Sequence, residues 1–300
     1  MFAKVIVGFD GRDQGRDALA LGCSLTAPDG ELVICCVHRL DGLSSRIDPI
    51  EPRLDHASAA ALLRTACRLP EAPRTITPLL VAGADPALAL QTTARQCGSE
   101  LLVLGSSHRG PVGRVLVGSV TEETLHRAPC AVAVAPVGFH RRAPTPPLAR
   151  IAVGYDVVSQ SLRALGAAAA LASQTDAELQ LIVVADTATA RAGGASAAMS
   201  YPAIVKARLD AAHAGLARAL GALPAGVAAA GVVRDGMASE ELLEVTHSVD
   251  LLVLGSRDRG PVGRLLLGSV CDTIVRAAAC PVLVIPPASN ADERSRPLVP

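Results

Sequence analysis

The sequence predicts an α/β fold with two tandem doubly wound domains, each a five-stranded parallel sheet with helices on both faces. Three observations support this prediction: a length of 300 residues, a duplication that places the same motifs in both halves, and short Val/Leu/Ile runs that alternate with helical patterns. A chain of this length corresponds to about two domains. Half of the residues are hydrophobic, so each domain has enough apolar side chains to form a core.

The duplication is the strongest feature of the chain. The segment Leu101–Ser106 recurs 150 residues later as Leu251–Ser256, with the same six letters, LLVLGS. The match continues through RGPVGR and ends at Gly118-Ser119-Val120 and Gly268-Ser269-Val270. The starts correspond as well, as VIVGFD at 5–10 and IAVGYD at 151–156. A period this long indicates two whole domains rather than a solenoid, whose repeats span roughly 20–50 residues.

The first half alternates strands with helices. Apolar runs predict strands at Lys4–Phe9, Glu31–Val37, Thr75–Val81, Leu101–Leu104 and Ala131–Ala135. Apolar positions at helical spacing predict helices at Asp13–Thr26 and near Leu54–Arg68. A third helix is predicted after Asp85-Pro86, where proline suits the first turn, and a fourth after Gly118.

The second half repeats this order, with strands predicted near 150–155, 178–184, 228–233, 250–254 and 281–285. Strands that are apolar along their whole length are typical of parallel sheets covered on both faces. Right-handed crossovers then give a doubly wound, Rossmann-like sandwich in each half. We predict domains at 1–138 and 150–288, a Pro-rich linker at 139–149 and a flexible tail at 289–300.

Composition argues against several classes of function. The net charge is zero, with 28 basic and 28 acidic residues, so a basic face that binds nucleic-acid phosphates is not expected. The chain has no Trp, two Tyr and three Phe, too few for stacking platforms that bind single strands. No apolar run reaches the roughly 18–20 residues of a membrane span, and the start lacks a signal-peptide pattern. We expect a cytoplasmic protein without nucleic-acid or membrane partners.

The eight cysteines show no metal-binding spacing, and most lie in apolar segments. We expect reduced, buried thiols and no metal site in the protein. Cys35 and Cys36 are adjacent in a predicted strand and therefore point to opposite faces of the sheet. His38 lies at the end of that strand. A structural role is the first interpretation of this histidine, and a functional role in a ligand crevice is the alternative.

Two features at strand ends predict a ligand site in each half. Ligands of open parallel sheets bind beyond the carboxyl ends of the strands, where the strand order reverses. Asp10 and Asp156 end the first strands, while Gly105 and Gly255 end the fourth strands and open Gly-rich loops. If the first and fourth strands are neighbours, these elements face the same crevice.

The residues that close each loop allow two interpretations. Ser119 has capping-box spacing to Glu122, as Ser269 has to Asp272, so each serine is a candidate helix cap. A helix N-terminus also offers unpaired N–H donors and a positive dipole end, which favour phosphate. The recurrence of the glycines at converging strand ends in both halves favours phosphate binding.

Other nucleotide-binding motifs are absent from the sequence. The two lysines, Lys4 and Lys206, follow Ala3 and Val205, so no Gly-Lys-[Ser/Thr] of a Walker A loop occurs. No Gly-x-Gly occurs, which excludes the dinucleotide fingerprint. Neither Gly-x-Ser-x-Gly nor HExxH is present, so the hydrolase and zinc-protease motifs are excluded as well.

In these motifs the chain resembles a tandem universal stress protein of the ATP-binding type, a family that carries G-x2-G-x9-G-[S/T] after the fourth strand. The resemblance covers both halves and implies a stress-response regulatory protein that binds ATP with Mg²⁺, without catalytic residues. It implies that the strand-one Asp and groups after strand two hold adenosine, and that the loop glycines and final Ser hold phosphates. The residues carried over are Asp10, Val37, Gly105, His108, Gly110, Gly118, Ser119 and Val120, then Asp156, Val184, Gly255, Gly268, Ser269 and Val270.

The chain departs from the family pattern at the middle glycine, which is replaced by His108 in the first half and Asp258 in the second. A histidine can donate a hydrogen bond to phosphate, whereas an aspartate repels phosphate unless a metal intervenes. In addition, Val157 follows Asp156, where Gly11 follows Asp10 in the first half. We therefore rank the second site below the first.

Two other functions remain open. One is an interaction protein of the same fold that no longer binds nucleotide, which the three departures motivate. The other is a slow ATP hydrolase of the wider adenine-nucleotide α-hydrolase group, although the Ser-Gly-Gly-x-Asp-Ser loop of its pyrophosphatases is absent.

The resemblance also bears on assembly. It implies that the last strands, Ala131–Ala135 and Pro281–Ile285, pair with each other within the chain. Pairing protects strand edges that would otherwise be open to aggregation. A homodimer of two such chains is a further candidate assembly, and the sequence identifies no protein partner.

Overall fold

A single ten-stranded sheet runs through both halves of the chain. The structure is a computed structural model. It describes residues 1–38, 55–67, 75–106, 118–142, 148–156, 159–185, 187, 201–256 and 268–287.

Strands and helices alternate in both halves. The first half contains β1 (Phe2–Gly8), α1 (Asp13–Leu25), β2 (Thr26–His38), α2 (His56–Ala66), β3 (Thr75–Ala82), α3 (Pro86–Cys97), β4 (Leu101–Gly105), α4 (Ser119–His126) and β5 (Ala131–Ala135), followed by a 3₁₀ turn at Phe139–Arg141. The second half contains β6 (Arg150–Gly154), α5 (Ser159–Thr175), β7 (Glu178–Ala185), α6 (Tyr201–Gly221), β8 (Ala229–Asp235), α7 (Ala238–Val245), β9 (Leu251–Gly255), α8 (Ser269–Ala277) and β10 (Val282–Ile285). None of the helices in this described part of the chain is both long and apolar enough to cross a bilayer.

The strand order is β3-β2-β1-β4-β5-β10-β9-β6-β7-β8. Neighbouring strands within each half are parallel, which confirms the predicted doubly wound α/β fold. Between the halves, β5 and β10 are antiparallel, with Val132 opposite Val284 and Val134 opposite Val282. The pairing of the last strands that the resemblance implied is therefore confirmed.

Helices cover both faces of the sheet because its central strands are apolar on both faces. One face carries α1, α2, α5 and α6. Its core extends across both halves, because it contains Val5 of the first half and Ile151 of the second. The other face carries α3, α4, α7 and α8, and here Leu125 of the first half shares a cluster with Ile274 of the second. Cys35 and Cys36 belong to cores on opposite faces, as their adjacency in a strand predicted.

The second strand begins earlier than predicted. We expected it to start at Glu31, after a helix that ends at Thr26. Instead β2 starts at Thr26, which pairs with Phe2 before an irregularity in the register. The Thr26 hydroxyl donates to the carbonyl oxygen of Gly22 at 2.7 Å and so joins the end of α1 directly to the strand.

The ends of the predicted linker are attached to the two halves. Phe139, in the 3₁₀ turn, is buried, and Leu148 is buried at the other end. The N–H groups of Ala149 and Arg150 both donate to the Asp250 carboxylate, at 3.0 and 2.8 Å. The three prolines of the linker lie outside the described residues.

A buried carboxylate on α1 holds the turn that follows β5. Asp17 is 1% exposed, and it accepts hydrogen bonds from the N–H groups of Gly138 at 2.9 Å and His140 at 2.8 Å. The Nδ1 atom of His140 lies 2.5 Å from the same carboxylate. A buried carboxylate needs such partners, because an unpaired charge is costly in a core. Asp17 thus fixes the direction in which the chain leaves the first half.

We expect Asp17→Ala to lower the free energy of unfolding by about 2–5 kcal/mol, because two partly buried N–H donors and a histidine lose their acceptor. Urea denaturation followed by circular dichroism measures this change in a protein without tryptophan. The control is Asp13→Ala, which removes an exposed ion pair to Arg141 and should cost less than about 1 kcal/mol. Equal losses for the two variants would contradict the role of Asp17.

Candidate functional site

A cleft of about 500 Å³ lies at the carboxyl edge of the first-half sheet. β1 pairs with β2 on one side and with β4 on the other, so the first and fourth strands are neighbours, the condition for a shared crevice is met, and the strand order reverses here. The cleft is lined by Gly8, Phe9, Asp10, Gly11, Arg12, Gln14, Gly15, Cys35, Val37, His38, Asp55, Ser58, Leu62, Gly83, Ala84, Pro86, Leu90, Leu104, Gly105, Val120 and Thr121. Four residues predicted for the site, Asp10, Val37, Gly105 and Val120, are among them.

Asp10 lies between β1 and α1 with its side chain 47% exposed. Its Oδ1 atom accepts a hydrogen bond from the N–H of Arg12 at 3.0 Å, and the Arg12 Nε atom lies 3.8 Å from Oδ2. Gly11, between them, has φ of +79°, a left-handed conformation that favours glycine. The carboxylate is therefore oriented by its own loop while it remains open to the cleft.

Gly15, which the sequence analysis did not single out, keeps space around Asp10. A Cβ atom at Gly15 would lie 2.7 Å from Asp10 Oδ1 and 3.0 Å from Asp10 N. Aligning the two halves could have revealed this position, because Ser161 stands at the corresponding place in the second half.

Gly105 has a packing reason to be glycine. A Cβ atom there would lie 2.2 Å from the carbonyl oxygen of Gln14, in the first turn of α1. That contact is with backbone, which cannot move aside cheaply. Gly105 thus lets α1 approach the end of β4, and this close approach forms one wall of the cleft.

The N-terminus of α4 lies at the cleft, but its cap differs from the prediction. Gly118 is the N-cap residue, and its carbonyl accepts the first helical hydrogen bond from the N–H of Glu122 at 3.0 Å. Ser119 is already inside the helix and is exposed, and no side-chain hydrogen bond caps this end. The predicted capping box of Ser119 and Glu122 is therefore wrong, because a capping serine must precede the first helical residue.

The same correction applies to the second half. Gly268 is the N-cap residue of α8 and Ser269 is its first helical residue, so the capping box with Asp272 is also wrong. Asp272 instead accepts from the Nε atom of Arg276 at 3.0 Å.

The first turn of α4 presents donors to the cleft. The N–H groups of residues 119–121 have no acceptor within the helix, because the first helical bond is made by residue 122. Val120 and Thr121 line the cleft, and the Thr121 hydroxyl donates to the carbonyl oxygen of Gly105 at 3.0 Å. That bond holds the helix start against the end of β4. The corresponding contact in the second half is weaker, with Cys271 Sγ at 3.4 Å from the Gly255 carbonyl oxygen.

The end of β2 supplies the opposite wall. Val37 and His38 both line the cleft, and the His38 ring packs edge-on against His56, with ring centroids 5.0 Å apart. Asp55 caps α2 by accepting from the N–H of Ser58 at 2.7 Å, and this bond lowers the pKa of the Asp55 carboxyl. Cys35 lies deeper, and burial raises the pKa of its thiol to about 12.

In the second half, the matching polar groups bond to one another. The Ser161 hydroxyl donates to the Asp156 carboxylate at 2.5 Å and accepts from the Asp156 N–H at 3.1 Å. Beyond β7, the Thr187 hydroxyl donates to Asp235, and Arg234 forms a 3.0 Å ion pair with Glu241. Val184 and Val270 are half-buried against the core. Asp156, Val184 and Val270 thus occupy the positions of Asp10, Val37 and Val120, but the Asp156 carboxylate already accepts a hydrogen bond from the Ser161 side chain.

Several predicted positions lie outside the described residues. These are His108 and Gly110 in the first half and Val157 and Asp258 in the second. Within the residues that the structure describes, no group of three or more His, Cys, Asp or Glu side chains could hold a metal ion.

The sequence profile of the universal stress protein family matches residues 1–136 and 148–286. The chain belongs to this family. A universal stress protein of Mycobacterium tuberculosis is 31% identical over 200 residues, which cover 63% of this chain and 64% of the relative, so the match spans just under two thirds of that protein. Another, from Mycolicibacterium smegmatis, is 50% identical over 52 residues, 17% of this chain and 40% of the relative.

A solved structure of similar length shares the fold of this universal stress protein. A universal stress protein from Archaeoglobus fulgidus aligns over 95% of this chain and 98% of its own, with a TM-score of 0.62 and 19% identity. A further universal stress protein, solved in complex with cAMP, aligns over 45% of this chain and 98% of its own, with a TM-score of 0.35 and 26% identity.

Burial should make four thiols of this protein unreactive. Desolvation raises the pKa of Cys35, Cys130 and Cys280 to about 12 and that of Cys36 to about 11. Since the thiolate is the reactive form, a pKa of 12 leaves about one thiol in 10⁴ ionised at pH 8. Titration with a chromogenic disulfide should therefore show these four reacting only in denaturant, where all eight react.

The same shifts predict a loss of stability in alkali. The folded-state pKa values of these thiols lie above the unfolded value of 9.0, so their contribution to stability is complete below about pH 9 and is lost as the pH rises toward 12.

Rapid reaction of all eight thiols in the folded protein at pH 8 would contradict the protection of these four cysteines by burial.

Proposed function

We propose that the first-half cleft binds an adenine nucleotide, with ATP and Mg²⁺ as the ligand, and that nucleotide binding regulates the conformation or partners of the protein. The observation that carries the proposal is a cleft with an open carboxylate, Asp10, on one wall and, on another, the first N–H groups of α4, which have no acceptor within the helix. Its volume of about 500 Å³ falls in the usual range for small-molecule sites.

The two polar walls suit the two ends of a nucleotide. A carboxylate accepts hydrogen bonds, so Asp10 suits the hydroxyl groups of ribose. The N-terminus of α4 combines N–H donors with a positive dipole end, which suits phosphates. Ser119, whose hydroxyl is not used as a helix cap, can donate to the same phosphates. Val37, Leu90 and Leu104 line the cleft with apolar surface for the base.

Mg²⁺ fits this proposal as part of the nucleotide rather than as a resident ion. Mg²⁺ is commonly held by substrate phosphates and water, with one or two carboxylates. Among the residues that the structure describes, the carboxylates of Asp10 and Asp55 line the cleft.

The second half is proposed as the weaker or inactive site. The hydroxyl of Ser161 already donates to Asp156, so a ribose hydroxyl would have to displace it. The replacement of the motif glycine by Asp258 adds a negative charge on the phosphate side. The second half then serves as the structural partner of the first. In this half, the alternative of an interaction domain that no longer binds nucleotide is retained.

The double variant Gly118→Ala/Ser119→Ala should weaken ATP binding by about tenfold or more, because a hydrogen bond to a charged group and the close approach of the helix start are lost. The matched pair Gly268→Ala/Ser269→Ala should change the affinity much less. Isothermal titration calorimetry with ATP and Mg²⁺ measures both, and we expect one nucleotide per chain, without phosphate release above the rate of free ATP.

Failure of the unchanged protein to bind ATP at millimolar concentration would overturn the proposal. Equal effects of the two double variants would instead contradict the ranking of the halves, and phosphate release would favour the hydrolase alternative.

Gly15→Ser should copy the second-half arrangement into the first cleft. The new hydroxyl would crowd Asp10 and donate to it, as Ser161 does to Asp156, so we expect ATP and adenosine to bind about three- to tenfold more weakly. Gly166→Ser is the matched control, because its Cβ would meet nothing within 4 Å on α5. Unchanged adenosine affinity in Gly15→Ser would show that Asp10 does not contact the ribose.

A further inference from the structure

One arginine connects the last turn of α8, in the second half, with the first turn of α4, in the first half. The Nη2 atom of Arg276, on α8, lies 3.2 Å from the Glu122 carboxylate on α4 and 2.8 Å from the Asp272 carboxylate on its own helix. The Arg276 Nε atom adds bonds of 3.0 Å to both oxygens of Asp272. The hydrogen bonds to Asp272 and then to Glu122 raise the pKa of the arginine, so it stays charged. One cation therefore serves an acid from each half.

The two acids occupy equivalent positions. Glu122 follows Ser119 by three residues, as Asp272 follows Ser269, so each lies in the first turns of its helix. The residue equivalent to Arg276 in the first half is His126, so the sequence repeat does not provide a second arginine. The pairing of β5 with β10 joins the two halves, and Leu125 of α4 and Ile274 of α8 belong to the same hydrophobic cluster.

The charge of Glu122 bears directly on the proposed phosphate site. Glu122 comes immediately after residues 119–121, whose N–H groups have no acceptor within the helix, and its backbone lies less than one helical turn, or about 5.4 Å of rise, from each of them. This separation is shorter than the Debye length of about 8 Å at physiological salt. A carboxylate on the first turn of the helix repels a polyphosphate bound at the helix start unless a cation compensates for its charge.

We infer that Arg276, from the second half, sets the phosphate affinity of the first-half cleft by compensating the charge of Glu122. This inference rests on the proposed function and adds an interdomain positioning residue to it. The affinity of the first cleft then depends on where the second half lies, because the compensating cation arrives across the β5–β10 contact. The pair is partly exposed, with the Arg276 side chain 30% and the Glu122 side chain 44% accessible. Its effect should therefore be moderate and sensitive to salt.

The test is a double-mutant cycle on the full chain with Arg276→Gln, Glu122→Gln and both together, titrated with Mg²⁺-ATP and with adenosine. We expect Arg276→Gln to weaken ATP binding about threefold, adenosine binding to stay unchanged, and the loss to disappear in the Glu122→Gln background or in 0.5 M salt. Arg276→Lys should retain most of the affinity. Arg218→Gln, an exposed arginine on the opposite face, controls for the change in net charge.

An equal loss for adenosine, or a loss that persists in the Glu122→Gln background, would overturn the inference and leave the proposed function intact. Absence of ATP binding in the unchanged protein would overturn both. Circular dichroism melts of all four proteins of the cycle show whether a weaker affinity merely follows from a less stable fold.

Discussion

The antiparallel pairing of β5 with β10 is the contact on which the relation between the two halves depends. Each half alone would leave its last strand as an exposed edge, and β5 is buried along its whole length. Joining the two edges satisfies both backbones and creates a continuous sheet with a shared core on each face. It also brings Arg276, in the last turn of α8, within reach of Glu122 in the first turn of α4, so the two halves contact each other near the start of α4.

Much of this arrangement could be predicted from the sequence, because the duplication carries the information twice. The alternation of apolar runs identified the parallel sheets, and Asp10 and Gly105 were placed at one edge by the rule for open sheets. Details that depend on backbone angles could not be predicted. Capping-box spacing does not tell whether a serine precedes a helix or begins it, and the position of Gly118 before the first turn decided against the cap.

Contacts between segments far apart in the chain were also beyond the sequence. The need for glycine at 105 comes from the carbonyl of Gln14, and the need at 15 comes from the carboxylate of Asp10. The bond from Asp17 to the turn at 138–140 joins residues more than 120 positions apart, and no local pattern marks it. The roles of Gly15, Asp17 and Gly105 became interpretable only when the fold brought their partners close to them. Gly15 and Gly105 border the candidate site, and Asp17 holds the turn that follows β5.

The two halves share their main strand and loop motifs but differ at single positions around the candidate site. LLVLG is identical in β4 and β9, whereas Gly15 corresponds to Ser161 and Thr121 to Cys271. Because both halves lie in one polypeptide, the contact between β5 and β10 is intramolecular and does not weaken on dilution. A pair of separate subunits would dissociate when scarce. This chain keeps its unequal halves at a fixed ratio of one to one, whatever its abundance in the cell.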